Sequence, residues 1–380
     1  GAPLLGALAD SSGRRVPWVF GFSVLYVAGS AALWFTLPDG SNMIWMLVAF
    51  GIGFIGAEYA LIFTNSQLPS LGTDDEIGKI SGSGFAFGYL GGFVTLIVFL
   101  LVFAEQGNGK TLIGLDPAFG LLDGAAREGT RAVGPLTALW FAVFMIPYFL
   151  WVRDTPGAGS ASFSAAIGSL RDLIRSLLHR LSLSAYLGSS MFYRDALNGL
   201  YGFGGVYATL VLDWGITQIG VFGIVALIAS VLFSWLGGKV DSRFGPKPVI
   251  IVAICVLMVV CLIIVGMSRT QFWGIPLAAG SGLPDIVFFI CGAFIGGMGG
   301  VVQASSRSLM VRHSDPASST EYFGLYGLSG RATAFLAPSL IGLMTTMTGS
   351  ARLGISPVIA LFAIGLVLLI WVKPNGERAA

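Results

Sequence analysis

Four ionisable residues stand inside stretches that are otherwise apolar: Glu58, Arg194, Asp195 and Arg331. An ionisable group in hydrocarbon costs about 2.5 kcal/mol or more unless water or a partner meets it, so such groups are expected to face a protein interior or a wet cavity. Arg194, Asn198 and Tyr201 follow one another at i, i+4 and i+7, which lays them on a single stripe of a helix. Asp195 is turned about 100° from Arg194; it either shares the cavity or reaches a neighbouring helix in a structural ion pair. Gln303, near the end of its apolar stretch, either lines the same path or caps. Two acids and two arginines balance in charge. Such a set either receives a solute that carries both a carboxylate and an amine, each meeting its opposite after desolvation, or neutralises itself. If a carboxylate relays protons, Glu58 and Asp195 are the candidates. No catalytic, cofactor or metal set accompanies them: His179 and His313 lie in connecting segments without ligand partners, and Cys255, Cys261 and Cys291 sit in apolar runs as packing residues. An enzyme is not expected.

These residues must be held by helices in lipid. Only 11% of the 380 residues are charged and 55% are hydrophobic, against roughly a quarter charged in soluble domains. The 54 glycines suit membrane helices, whose backbones approach closely at small residues. A net charge of +2 leaves no basic excess for nucleic acid. A bilayer-crossing helix needs about 20 mainly apolar residues, and ten stretches qualify: 16–37, 43–65, 82–103, 134–152, 183–212, 216–239, 248–267, 285–307, 321–347 and 355–372. A shorter apolar run, 1–9, precedes them and reads as the cut end of another span. Basic residues concentrate on the cytoplasmic side of membrane proteins. Setting Arg14 and Arg15 inside also sets Lys79, Arg153, Arg171, Arg175, Arg180, Lys239, Arg243, Lys247, Arg307, Arg312, Lys373 and Arg378 inside, with a cytoplasmic C-terminus. The opposite side keeps Lys110, Arg127, Arg131, Arg269 and Arg352.

The longest cytoplasmic connection opens with Thr155, Pro156 and Gly157, then carries Ile167, Leu170, Ile174, Leu177 and Leu181 at helical spacing with Arg171, Arg175 and Arg180 opposite. It predicts an amphipathic helix, either lying in the membrane interface or packed on the ends of the spans. The chain therefore divides into an N-terminal bundle (1–153), a linker (154–182) and a C-terminal bundle (183–380).

One segment occurs twice. Gly6, Asp10, Gly13, Arg14 and Arg15 recur as Gly237, Asp241, Arg243, Gly245 and Lys247, each at the cytoplasmic end of a span before a short connection. Glycine permits a tight turn, the aspartate is expected to accept from the next helix's free N–H groups, and internal repeats are how transporter folds are built. The paired segment resembles the loop signature of the major facilitator superfamily, where it follows the second and eighth spans. That resemblance implies an all-α membrane protein of two pseudo-symmetric six-helix bundles, with span 1 and most of span 2 absent here. Within the superfamily, SGSGFAFGYLGG (81–92), REGTRAVGPLTALWF (127–141), FYRD (192–195), QASSRSL (303–309) and FGLYGLSGRATAF (323–335) are similar to the vacuole-effluxer-like family. This second resemblance implies amino-acid efflux.

The function expected is secondary active transport of a small polar solute by alternating access, coupled to protons or another ion; the alternative is a membrane receptor or scaffold that keeps the fold without transporting. Glu58, Arg194, Asp195, Asn198, Tyr201, Gln303 and Arg331 are assigned to the solute or ion pathway. Asp10 and Asp241, with the glycines and arginines around them, are assigned to the conformational switch. A monomer in a bacterial cytoplasmic membrane is expected.

Overall fold

The computed structural model describes residues 1–154 and 163–377, with the side chain of Ile216 left aside. The linker residues Thr155, Pro156 and Gly157, and Arg378, lie outside the described residues. In chain order the helices are α1 (Ala2–Ser12), α2 (Val16–Ala32), α3 (Met43–Asn65), α4 (Asp74–Val98), α5 (Glu128–Arg131), α6 (Val133–Trp151), α7 (Phe163–Leu177), α8 (Leu181–Leu212), α9 (Ile216–Phe244), α10 (Pro246–Gly266), α11 (Leu283–His313), α12 (Ser319–Ala332), α13 (Leu336–Thr348), α14 (Ala351–Gly354) and α15 (Ser356–Leu369). A two-residue hairpin, β1 (Gln271–Phe272) with β2 (Ile275–Pro276), joins α10 to α11.

Eight helical segments among the described residues are long and apolar enough to cross a membrane. They match eight of the ten stretches expected from the sequence. The other two differ in kind. Helix α8 is 32 residues long, ample at about 1.5 Å per residue, but it is more polar because much of its surface meets protein: Ser189, Ser190, Tyr193 and Asp195 are all fully buried. The stretch 321–347 is two helices. Its ladder breaks at residues 333–335, between α12 and α13.

The chain divides into two compact units, residues 1–67 with 91–169, and residues 68–90 with 170–380. In the first, α2 crosses α3 so closely that a methyl on Gly29 would collide with the Gly53 backbone, and one on Gly56 with that of Tyr26. Trp18 stacks on buried Phe63 at 5.7 Å. In the second, Gly296 of α11 lies against the Ala226 backbone of α9, and Gly365 of α15 against Ser189 and Tyr193 of α8. Small residues let these backbones meet, which is how helices bind one another when lipid removes the hydrophobic drive. His313 hydrogen-bonds Ser182 at 2.8 Å, and the backbone N–H of Lys373 donates to the same Ser182 hydroxyl at 2.8 Å. Helix α7 buries Ala166 and Leu173 while Phe163, Ile167 and Ile174 stay exposed.

Candidate functional site

In the second unit, neighbours in sequence hold successive parts of one broken helix. Where α12 stops and α13 starts, the first N–H groups of α13 have no intrahelical acceptor. Asp195 of α8 supplies one: its Oδ2 accepts from Ala337 N at 2.9 Å. Thr333, in the break, donates to the Met191 carbonyl at 3.3 Å, and Gly199 leaves room for the Ala337 methyl. Asp195 is wholly buried. It reaches a neighbouring helix, but through a backbone cap in place of the ion pair that the sequence allows. Arg194 turns the other way. Its Nη1 donates to the Tyr326 carbonyl at 2.9 Å, its guanidinium lies 4.2 Å from the centre of the Tyr326 ring, and Gly330 leaves it space. Among the described residues no carboxylate pairs with Arg194.

The rest of the stripe lies along the same face of α8. Asn198 is exposed and Tyr201 is 40% exposed. Gln303 of α11 donates to the Tyr89 hydroxyl at 3.2 Å, and the Tyr201 hydroxyl lies against Gly299 of the same helix. Arg194, Asn198, Tyr201, Gln303 and Tyr89 thus form a polar strip with one fixed cation. Gln303 belongs to this strip and caps no helix. Arg331 sits exposed in the last turn of α12.

The repeated segment behaves differently from expectation. Neither aspartate caps the following helix, and both lie in the last turns of helices, Asp10 in α1 and Asp241 in α9. The chain leaves too short a connection for that: one residue, Gly245, separates α9 from α10. Asp241 faces inward, accepting from Ser308 of α11 at 3.2 Å, with its carboxylate against Gly78 of α4, where a methyl would come within 2.8 Å. Next to it Lys79 N donates to the Ser242 hydroxyl at 2.9 Å. One turn on, Gly82 of α4 meets Gly238 of α9 backbone to backbone. Ser81 donates to the Ala304 carbonyl at 2.7 Å and accepts from Arg307 Nε at 3.0 Å. Three helices, α4, α9 and α11, are therefore laced at one end. The glycines also divide their roles: Gly13 (φ 63°) and Gly245 (φ 84°) make the turns, a conformation costly for other residues, whereas Gly6 is buried within α1 and Gly237 lies against Val301. Arg243 is exposed, stacked over its neighbour Phe244.

In the first unit, Asp10 Oδ1 pairs with Arg15 at 2.9 Å, while Arg14 is exposed. The N-terminal N–H groups of α2 go to a residue from the far end of the unit: Asp154 Oδ1 accepts from Arg15 N at 2.8 Å and Val16 N at 2.9 Å. Glu58 of α3 helps line a cavity of about 390 Å³ with Tyr26, Ser30 and Thr137.

The family model described as vacuole effluxer Atg22 like matches residues 2–380. The chain belongs to this family. It is 24% identical to the uncharacterized MFS-type transporter YxiO of Bacillus subtilis, over 97% of this chain and 80% of that one. It is 23% identical to autophagy-related protein 22-1 of Neosartorya fischeri, over 80% of this chain and 49% of the relative, so it spans about half the length of that fungal protein. Among solved structures it is similar to the fucose:proton symporter FucP of E. coli, with a TM-score of 0.70 and 14% identity over 98% of this chain and 87% of that chain. The proton:xylose symporter XylE gives 0.69 and 13% over 97% and 83%. These likenesses carry the fold, that of the major facilitator transporters, and the relatives make membrane transport, in a multi-pass protein, the function class. The family match starts at residue 2 and gives no support to the expectation that span 1 and most of span 2 are absent.

Against this family the sequence reading missed four groups: Asp154, the Ser81–Arg307 contact, the Gly78–Gly82 edge of α4, and Tyr89. The repeat pointed at one side of the lacing only. A serine or glycine in a span carries no local sign of its partner; the signal that was available is the pair Gly78 and Gly82, four residues apart and so on one face of a helix.

Proposed function

We propose that the chain is a secondary active transporter of a small solute bearing a carboxylate, amino acids being the class intended, that alternates access between two bundles (1–153 and 183–380) joined by the linker 154–182. The observation that carries this reading is Arg194. A half-buried guanidinium that, among the described residues, meets a carbonyl and an aromatic face keeps N–H donors for a bidentate partner, and the polar strip beside it offers further hydrogen bonds. Desolvating such a cation without an opposite charge is costly, so a solute carboxylate is its natural complement. Glu58, in the cavity of the first unit, is the acid assigned to a coupling proton. Asp195 is withdrawn from that role because its carboxylate serves α13. Gln303 and Tyr201 orient the solute, Asp10 and Asp241 serve the switch, and Arg331 belongs to the pathway. The protein works as a monomer in a bacterial cytoplasmic membrane with its C-terminus inside.

The test is counterflow of labelled amino acids, sugars and organic acids in proteoliposomes. Wild type should exchange a carboxylate-bearing solute, and Arg194→Gln should weaken that exchange at least tenfold, the value of one lost charge-assisted pair of about 1.4 kcal/mol or more. Glu58→Gln should abolish the pH-driven component and spare counterflow. Inertness across the panel and across imposed gradients supports the receptor or scaffold reading instead.

A further inference from the structure

A groove of about 550 Å³ opens on the surface of the second unit, between α9, α10 and α11. Every residue that lines it is apolar or glycine. Its walls include Phe233, Val240 and Phe244 of α9, Val249 and Val252 of α10 and Met298 of α11. Val252 (60% exposed) and Phe244 (63%) form its open edge. From Phe233 to Phe244 the groove follows α9 for roughly 16 Å at about 1.5 Å per residue, close to half of the ~30 Å hydrocarbon core. Its length is that of one leaflet. The end at Phe244 is the end at which basic residues gather. Arg243 lies over the Phe244 ring, 5.3 Å from its centre, whereas Lys239, one turn back, is held over Trp235, outside the groove lining. Lys247 follows at the start of α10. The acid of this segment, Asp241, is turned inward and buried, so it does not offset Arg243 at the rim.

We propose that this groove is a binding site for one anionic phospholipid. An acyl chain fills the apolar trough, and the phosphate sits at the rim on Arg243. Apolar walls without a hydrogen-bonding group exclude a polar solute, and a trough open to the bilayer admits a chain from the side. Basic residues at the membrane boundary attract anionic headgroups. Arg243 adds planar donors that match a phosphate. The occupant would lie along Gly237 and Val240, on the turns of α9 that carry Asp241 and Gly238 on their inner side.

Native mass spectrometry of the purified full chain, titrated with phosphatidylglycerol and with phosphatidylcholine of the same acyl chains, tests the site. Wild type should bind a first phosphatidylglycerol at least tenfold more tightly than phosphatidylcholine. Val252→Trp, which fills the trough, should weaken both lipids about tenfold; Leu262→Trp, lipid-facing on the same helix but outside the groove, should leave both unchanged. Arg243→Gln should keep chain binding and erase the preference for the anionic lipid. Equal affinity of wild type for the two lipids, or Val252→Trp binding as wild type does, would overturn the proposal. Should Val252→Trp fail to fold, Arg243→Gln decides alone, and an undiminished preference for phosphatidylglycerol in that variant refutes the site.

Discussion

Asp195 offers the sharpest separation of a structural acid from a working one. Its Oδ2 receives the Ala337 N–H at 2.9 Å, and both residues are fully buried. In Asp195→Ala that N–H, at the start of α13, keeps no acceptor. Leaving a buried donor unsatisfied costs about 1–3 kcal/mol, and loss of an N-terminal cap costs about 0.5–2 kcal/mol; these describe the same bond, so the expected loss is about 2 kcal/mol. Asp195→Asn keeps an acceptor oxygen in the same place and removes the carboxylate from a buried site. It should stay within about 0.5 kcal/mol of wild type, because the relief of desolvation offsets the weaker, neutral bond. Thermal denaturation followed by size-exclusion chromatography ranks the variants, and counterflow against pH-driven uptake reads their function. The expected order of stability is wild type and Asp195→Asn together, Asp195→Ala clearly below, with the pH dependence of uptake unchanged in Asp195→Asn. If Asp195→Asn folds normally but loses pH-driven uptake, the carboxylate carries the proton and the capping argument fails. Equal stability of Asp195→Ala and wild type refutes it from the other side.

Three further outcomes follow from the same geometry. Gly82→Ala would put a methyl 2.6 Å from the Gly238 Cα, an overpacking of about 1–3 kcal/mol, so the laced arrangement of α4, α9 and α11 should lose about 5–150-fold in population; a cysteine at Ser305, buried in wild type, should label correspondingly faster in a background whose native cysteines are alanine, and an unchanged rate counts against the close packing. Asp154→Ala should cost about 1–2 kcal/mol through the two uncapped N–H groups of α2, read as a lower denaturation midpoint, whereas Arg14→Ala, at an exposed position, should be silent. Asp241→Ala should slow turnover several-fold while solute affinity, measured at equilibrium, stays within about twofold; a large loss of affinity with normal folding would move Asp241 into the binding site.

What the sequence alone determined is what depends on neighbours in the chain. Uniform hydropathy marked α2, α3 and α10 to within a few residues, since a helix in lipid must satisfy its own backbone and only apolar side chains tolerate the surroundings. The repeated glycine–aspartate segment located two helix ends and, with the stretches at 81–92 and 303–309, pointed to the family. The interior charges were legible because an ionisable residue in an apolar run is conspicuous, and the i, i+4, i+7 spacing set Arg194, Asn198 and Tyr201 on one face. The tertiary structure alone decided which groups those residues meet. Asp195 and Ala337 are 142 positions apart, Asp154 and Arg15 139, and Ser81 and Arg307 226; no periodicity of 3.6 reaches across such distances. The same cause explains the misread stretch 321–347: the break between α12 and α13 is stable because Asp195 and Met191, on another helix, take up the backbone N–H and the threonine hydroxyl that the interruption leaves unpaired.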